Sequence, residues 1–222
     1  KVTLAAGRLI DIDPQKGSAP EVATLVETYS SRVQAALDEV IGEALTDLEG
    51  RGARGKETTL GDLLTDILRR ETGAEVAVLN GGGIRADILR GPIRVRHIMD
   101  VLPFNNFPVV LRLTGKEIKE ILEHGVSEAG GHGGKFPQVS GLRFVYQPSA
   151  PPFQRVRGVW IGSRPLDPEK DYTVATNDFL AAGGDGYAVF KRAFPEQAAQ
   201  PDWKTGSKSG RVVLYVRGLT IQ

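Results

Sequence analysis

The residues "NGGGIR" at 80–85 set three consecutive glycines between an asparagine and an arginine. Glycine costs backbone entropy and is retained where the chain needs positive φ or where another group must come very close. With no Cβ atoms at Gly81, Gly82 and Gly83, a ligand can rest on bare backbone, and the planar fork of Arg85 can grip a phosphate or a sugar hydroxyl beside it. The same letters also fit a glycine-rich turn followed by a surface arginine, because glycine clusters are weak motifs.

Phe104 in "VLPFNN" and Phe179 in "NDFLAAGGDG" form a second group, since both stand in loop-like stretches where no strand face needs a large ring. Facing each other, they would make a slot for a flat base, with about 1–3 kcal/mol from each stacking contact. Taken singly, either ring also reads as a core side chain. Asp185 lies between glycines in "AGGDGY". A carboxylate on such a turn can accept hydrogen bonds from vicinal ribose hydroxyls, although Asp-Gly is equally an ordinary turn signal.

Bond-breaking groups are harder to find. His97, His124 and His132 lack the i, i+4 spacing of a metal-binding helix and read as structural or solvent-exposed. Neither Ser127 nor Ser140 lies in a nucleophile elbow. The chain thus offers groups that bind, with no plain catalyst and no metal ligands among them.

Several elements must position these groups. "VTLAAGRLIDID" (2–13) reads as a short strand and "PQKGSAP" as its break. Val22, Leu25, Val26, Tyr29, Val33, Leu37, Val40 and Ile41 then recur with helical period behind a capping box of Ser18 and Glu21, which predicts a packed helix. "LEGRGARGKETT" (48–59) is a loop by composition, and "TLGDLLTDILRRETG" a helix capped by Thr59 and stopped by Gly73. "AEVAVLN" reads as a buried strand that delivers its carboxyl end to the glycines, a favoured place for ligands. "PVVLRL" is a strand, and "TGKEIKEILEHGV" a helix with Thr114 and Glu117 as capping box. "VSGLRFVY", "VRGVWIG" and "YTVATNDFL" alternate like antiparallel strands, "AAGGDGYAVF" turns sharply, and "RVVLYV" closes the sheet. Mixed helices and strands of this order point to an α+β fold.

Composition sets outer limits. The 222 residues are 41% hydrophobic and 25% charged, enough for a full core. A formal net charge of +1 gives no global field toward a nucleic acid polymer or a membrane surface, so any anion must be held by local geometry. The absence of cysteine removes thiolate chemistry and disulfides. No apolar run reaches the ~20 residues of a membrane span. The chain opens on Lys1, which suggests a segment removed upstream.

Taken together, "LNGGGIRADI", "VLPFNNFPVVLRLTG", "FPQVSGLRFVY" and "YTVATNDFLAAGGDGYAVF" resemble the C-terminal domain of the 5'-nucleotidase and UDP-sugar hydrolase family, from about residue 48 onward. The resemblance implies an α+β fold, a layered α/β/β/α sandwich of mixed sheets with flanking helices. It implies a residual strand and junction at 1–17, a linker helix at 18–46 and a nucleotide-binding domain at 47–222.

In that family the chemistry belongs to an N-terminal metallophosphoesterase domain that holds two divalent metal ions, and none of its motifs occurs in this sequence. By the resemblance, this chain alone is inactive and carries no cofactor of its own. Its partners are a nucleoside monophosphate or nucleoside and that N-terminal domain. Phe104 and Phe179 match the rings that sandwich the base, Asn80 and Asn106 the asparagines against it, Asp185 the ribose carboxylate, and Arg54 and Arg85 the arginines at phosphate or ribose. The glycines would let Asn80 and Arg85 approach the nucleotide from either side of a bare turn. Family members also rotate this domain about the linker, carrying substrate to the metals in a periplasmic or extracellular setting. The runner-up reading keeps the fold but has it serve a UDP-sugar hydrolase, a 2',3'-cyclic-nucleotide phosphodiesterase or a thiosulfohydrolase, and a third makes it a non-enzymatic nucleotide sensor; both phenylalanines favour a base-bearing substrate.

Overall fold

A computed structural model of the chain describes Gly7, Asp13, Gly17 and residues 19–131 and 133–198. The strands expected at 2–13 and within "RVVLYV", the Ser18 cap and His132 lie outside the described residues. The chain divides into two compact units, Lys1–Glu39 and Val40–Gln222.

In the first unit, helix α1 spans Pro20–Leu37, with Pro20 at its first position and Ala19 as an N-cap that makes no side-chain bond. Its stripe residues Val22, Leu25, Val26, Tyr29 and Val33 are 51–61% exposed. The helix stops short of the expected 18–46 span. Val40 and Ile41 belong instead to strand β1, Val40–Ala44, which pairs antiparallel with β3, Gly91–Arg94. β-Branched residues next to Gly42 suit a strand better than a helix end, and the pairing partner lies some fifty residues on, beyond the reach of local periodicity.

The second unit is built on a four-stranded sheet in the order β4-β9-β2-β5, comprising Pro108–Thr114, Asp171–Asn177, Val76–Asn80 and Pro137–Ser140. β2 runs parallel to β9; the other two pairings are antiparallel. One face presents Val76, Val78, Val109, Leu111, Leu113 and Val174 to a core completed by Ile118, Ile121 and Leu122 of α4 (Gly115–Gly125) and by Phe190 of α6 (Ala188–Ala198). The other face presents Ala77 and Ala175, whose small side chains admit Leu68 of α2 (Thr59–Thr72). This two-faced burial explains why "VAV" reads as a continuous apolar run.

Helices α2 and α4 follow their sequence signals closely. α4 carries the reciprocal Thr114–Glu117 capping box, and α2 ends on Gly73 in the left-handed conformation at φ 68°. The cap of α2 is Thr58 rather than Thr59, its side chain accepting from the Gly61 N–H. A separate antiparallel sheet holds β6 (Leu142–Tyr146), β7 (Val156–Ile161) and the short β8 (Arg164–Pro165). β9 was expected beside β6 and β7 but joins the other sheet, where Val174 and Ala175 need burial on both faces. The short helices α3 (Val95–Val101) and α5 (Asp178–Ala181) complete the unit. The described residues thus form the expected α+β arrangement of mixed sheets with flanking helices.

Candidate functional site

Register gathers the site at one end of the strands of the four-stranded sheet. Asn80 ends β2 opposite Pro137, where β5 begins, and Asn177 ends β9 opposite Pro108, where β4 begins. Two chain exits and two entries therefore meet on one side. The loops there carry Asn80–Arg85, Phe104–Phe107, Gly134–Phe136 and Asp178–Asp185.

These loops enclose a cleft of about 270 Å³, and all seven residues singled out in the sequence line it. Arg54 enters from a 3-10 turn at Arg51–Arg54, Asn80 and Arg85 flank the glycines, Phe104 and Asn106 come from the loop before β4, and Phe179 and Asp185 from the segment after β9. Phe104 is 50% and Phe179 44% exposed, so neither ring is core filling. Asn80 is 4% exposed, and its Nδ2 donates to Asp185 Oδ2 at 2.6 Å. The carboxylate is thus aimed before any ligand arrives.

Of the two reasons for glycine, close approach is the one that holds here. Gly81, Gly82 and Gly83 form a 3-10 turn, and none has positive φ. A side chain on Gly81 would overlap the Ala53 carbonyl, and one on Gly82 would lie 2.6 Å from Gly134 Cα. Backbone bonds follow from this closeness: Gly82 N–H donates to Gly134 O at 2.7 Å and Gly81 N–H to Phe136 O at 2.8 Å. Three chain segments pack backbone to backbone, and the turn is bare chiefly toward protein. Gly82 and Gly83 still line the cleft, as does Gly134, which the sequence did not mark as a ligand position.

Asp185 adopts φ 51°, ψ 19°, a left-handed conformation that aspartate tolerates better than most residues. Behind it, His124 Nε2 lies 2.8 Å from the Asp185 carbonyl, which accepts its N–H, and the His124 ring meets Tyr187 edge-on at 4.7 Å. Tyr187 is buried and its hydroxyl donates to Lys135 O at 2.6 Å. Burial pushes that phenol's pKa up, so it stays a donor. His124 thus supports the Asp185 turn from behind.

Two polar residues that the sequence did not single out hold the Arg54 turn. Asp87 Oδ1 accepts from the N–H groups of Gly50 and Arg51, both at 2.8 Å; these bonds, that of Arg51 foremost, hold its carboxyl below the usual range. Gln138, 1% exposed, donates to Ala53 O at 3.0 Å and Lys56 O at 2.8 Å and accepts from Thr58 N–H at 3.1 Å. A glutamine flanked by apolar residues in "FPQVS" was the available signal.

Phe179 lies directly over Gly184, where a Cβ would sit 2.5 Å from its ring carbons.

Residues 35–192 match the family described as 5'-nucleotidase, C-terminal domain. The chain belongs to this family. As a 5'-nucleotidase C-terminal domain it is 37% identical over 196 residues to the trifunctional nucleotide phosphoesterase protein YfkN of Bacillus subtilis, which covers 83% of this chain and 13% of that protein. It is 33% identical to protein UshA of Escherichia coli, covering 78% of this chain and 31% of UshA. Among solved structures, the 5'-nucleotidase precursor of Thermus thermophilus superposes with a TM-score of 0.74 at 43% identity, covering 78% of this chain and 36% of that one. This 5'-nucleotidase C-terminal domain therefore spans well under half the length of these relatives. No described helix is long and apolar enough to cross a membrane. Among the described residues no group of three or more His, Cys, Asp or Glu side chains could hold a metal ion, so they do not fit the metal pair implied for the family.

Proposed function

We propose that this domain is the nucleotide-recognition part of a metal-dependent 5'-nucleotidase, which releases phosphate from nucleoside 5'-monophosphates. The reading rests on one observation: Arg54, Asn80, Arg85, Phe104, Asn106, Phe179 and Asp185 line a single cleft. In this proposal the base stacks between Phe104 and Phe179, and Asn80 and Asn106 face its edge. Asp185, oriented by Asn80, accepts from the ribose hydroxyls, while Arg54 and Arg85 meet the phosphate or ribose. Half-exposed rings beside two guanidinium groups suit an anion that carries a flat base.

Bond cleavage and both divalent metals are assigned to an N-terminal metallophosphoesterase domain, with a periplasmic or extracellular setting. α1 and its exposed apolar stripe would serve as the link to that domain. Calorimetric titration of the chain with adenosine and AMP tests the recognition role. Binding is expected, weakened by Phe179→Ala about fivefold to 150-fold, the equivalent of one stacking contact of about 1–3 kcal/mol. Equal affinity in both proteins would overturn it.

A further inference from the structure

The nucleotide cleft does not end at its polar wall. A second pocket of about 50 Å³ adjoins it and shares Asn80, Gly83, Phe104 and Asn106 with it. Beyond that shared mouth the lining turns apolar, with Leu64, Leu79 and Leu102. Three asparagines stand at its rim: Asn80 Nδ2 donates to Asp185 and Asn177 Oδ1 accepts from the Leu180 N–H at 2.8 Å, while Asn106 also faces the first cleft.

We propose that this pocket is a specificity subsite for a small apolar substituent on the bound base. The inference rests on the nucleotide reading above. About 10–15 Å³ admits one water, so the pocket has room for a few methyl-sized groups but not for a second ring system. A water held there needs two to four polar partners, and beyond the asparagine rim the leucine walls supply none. A phosphate or sugar hydroxyl would lose its hydration on the same walls without replacement. A methyl group loses nothing and gains contact with three leucines. Because Phe104 is common to both cavities, a base stacked on that ring has one edge at the pocket mouth.

Matched nucleosides test this: adenosine against N6-methyladenosine and 2-methyladenosine, and uridine against 5-methyluridine, each titrated into the chain. At least one methylated member should bind about threefold to fourfold tighter than its parent, the equivalent of one buried methyl-sized group. Leu102→Phe, which fills the pocket, should abolish that gain and leave the parent nucleoside within about twofold. Leu79→Phe serves the same purpose should Leu102→Phe fail to fold. If nucleosides bind but no methylated member gains, the subsite is overturned and the nucleotide cleft stands. A gain that survives the filling variant also overturns it, since the methyl group then sits elsewhere. If no nucleoside binds at all, both readings fall.

Discussion

Asp178 and Phe107, 71 residues apart, hold each other by two bonds: Phe107 N–H donates to Asp178 Oδ1 at 3.0 Å, and Asp178 N–H returns to Phe107 O at 2.9 Å. The same carboxylate oxygen also accepts from the Phe179 N–H at 3.0 Å. One side chain thus ties the loop bearing Phe104 to the segment bearing Phe179. Asp178→Ala should cost about 1.5–3 kcal/mol, the range of a hydrogen bond to a charged group. It should also weaken adenosine binding, because the rings lose their common anchor. Asp178→Asn keeps an acceptor oxygen and should come close to the parent in both urea midpoint and affinity. Equal losses from Ala and Asn would show that the negative charge matters rather than the tie.

Gln138→Leu removes the donors for two backbone carbonyls under the Arg54 turn, those of Ala53 and Lys56. Each buried polar group left without a partner costs about 1–3 kcal/mol. The variant should unfold at clearly lower urea, and AMP affinity should fall more than adenosine affinity if Arg54 meets the phosphate. An unchanged urea midpoint would contradict the role given to Gln138.

The glycine turn separates into sites of different tolerance. Gly81→Ala drives a methyl group into the Ala53 carbonyl, which is backbone and cannot swing aside. A loss of about 1–3 kcal/mol is expected, as for an overpacked core. At Gly83 the new Cβ would stand 3.3 Å from Asn80 Oδ1, a side-chain atom that can yield by a few tenths of an ångström. Gly83→Ala should therefore cost less than Gly81→Ala in thermal melts; the reverse order would refute the packing account.

Asp62, in the first turn of α2, has its pKa raised from 3.8 to about 6, first by burial and then by the neighbouring carboxylates of Glu57 and Asp66. A folded-state pKa above the unfolded value favours the protonated form in the native protein. Its contribution is full below about pH 3.8 and is lost as pH rises through about 6. Compared with Asp62→Asn, the parent should lose relative stability between pH 4 and 7, by an amount kept to about 1 kcal/mol by partial exposure. Parallel stability curves for the two proteins across that window would count against the shift.

Much of the frame was open to reading from short-range pattern. The Thr114–Glu117 box and the Gly73 stop mark their helices through contacts three or four residues apart, which local sequence records. "VAVLN" marks its strand by burial on both faces. α6 and the strands β1 and β3 were not foreseen, nor was the sheet that β9 joins, because partners many residues away settle each of them.

The amino-acid sequence by itself determined which side chains are candidates for binding, along with the helices and the central strand that bracket them. Tertiary structure alone decided that they share a cleft, that the glycines serve contact between backbones rather than positive φ, and that Asp87, Gln138 and Asp178 brace the loops. The physical reason is distance along the chain: the bonds that aim Asp185, seat the Arg54 turn and join the two phenylalanine loops span 105, 85 and 71 residues. Only closure of the sheet brings such partners within the 3 Å or so that a hydrogen bond requires.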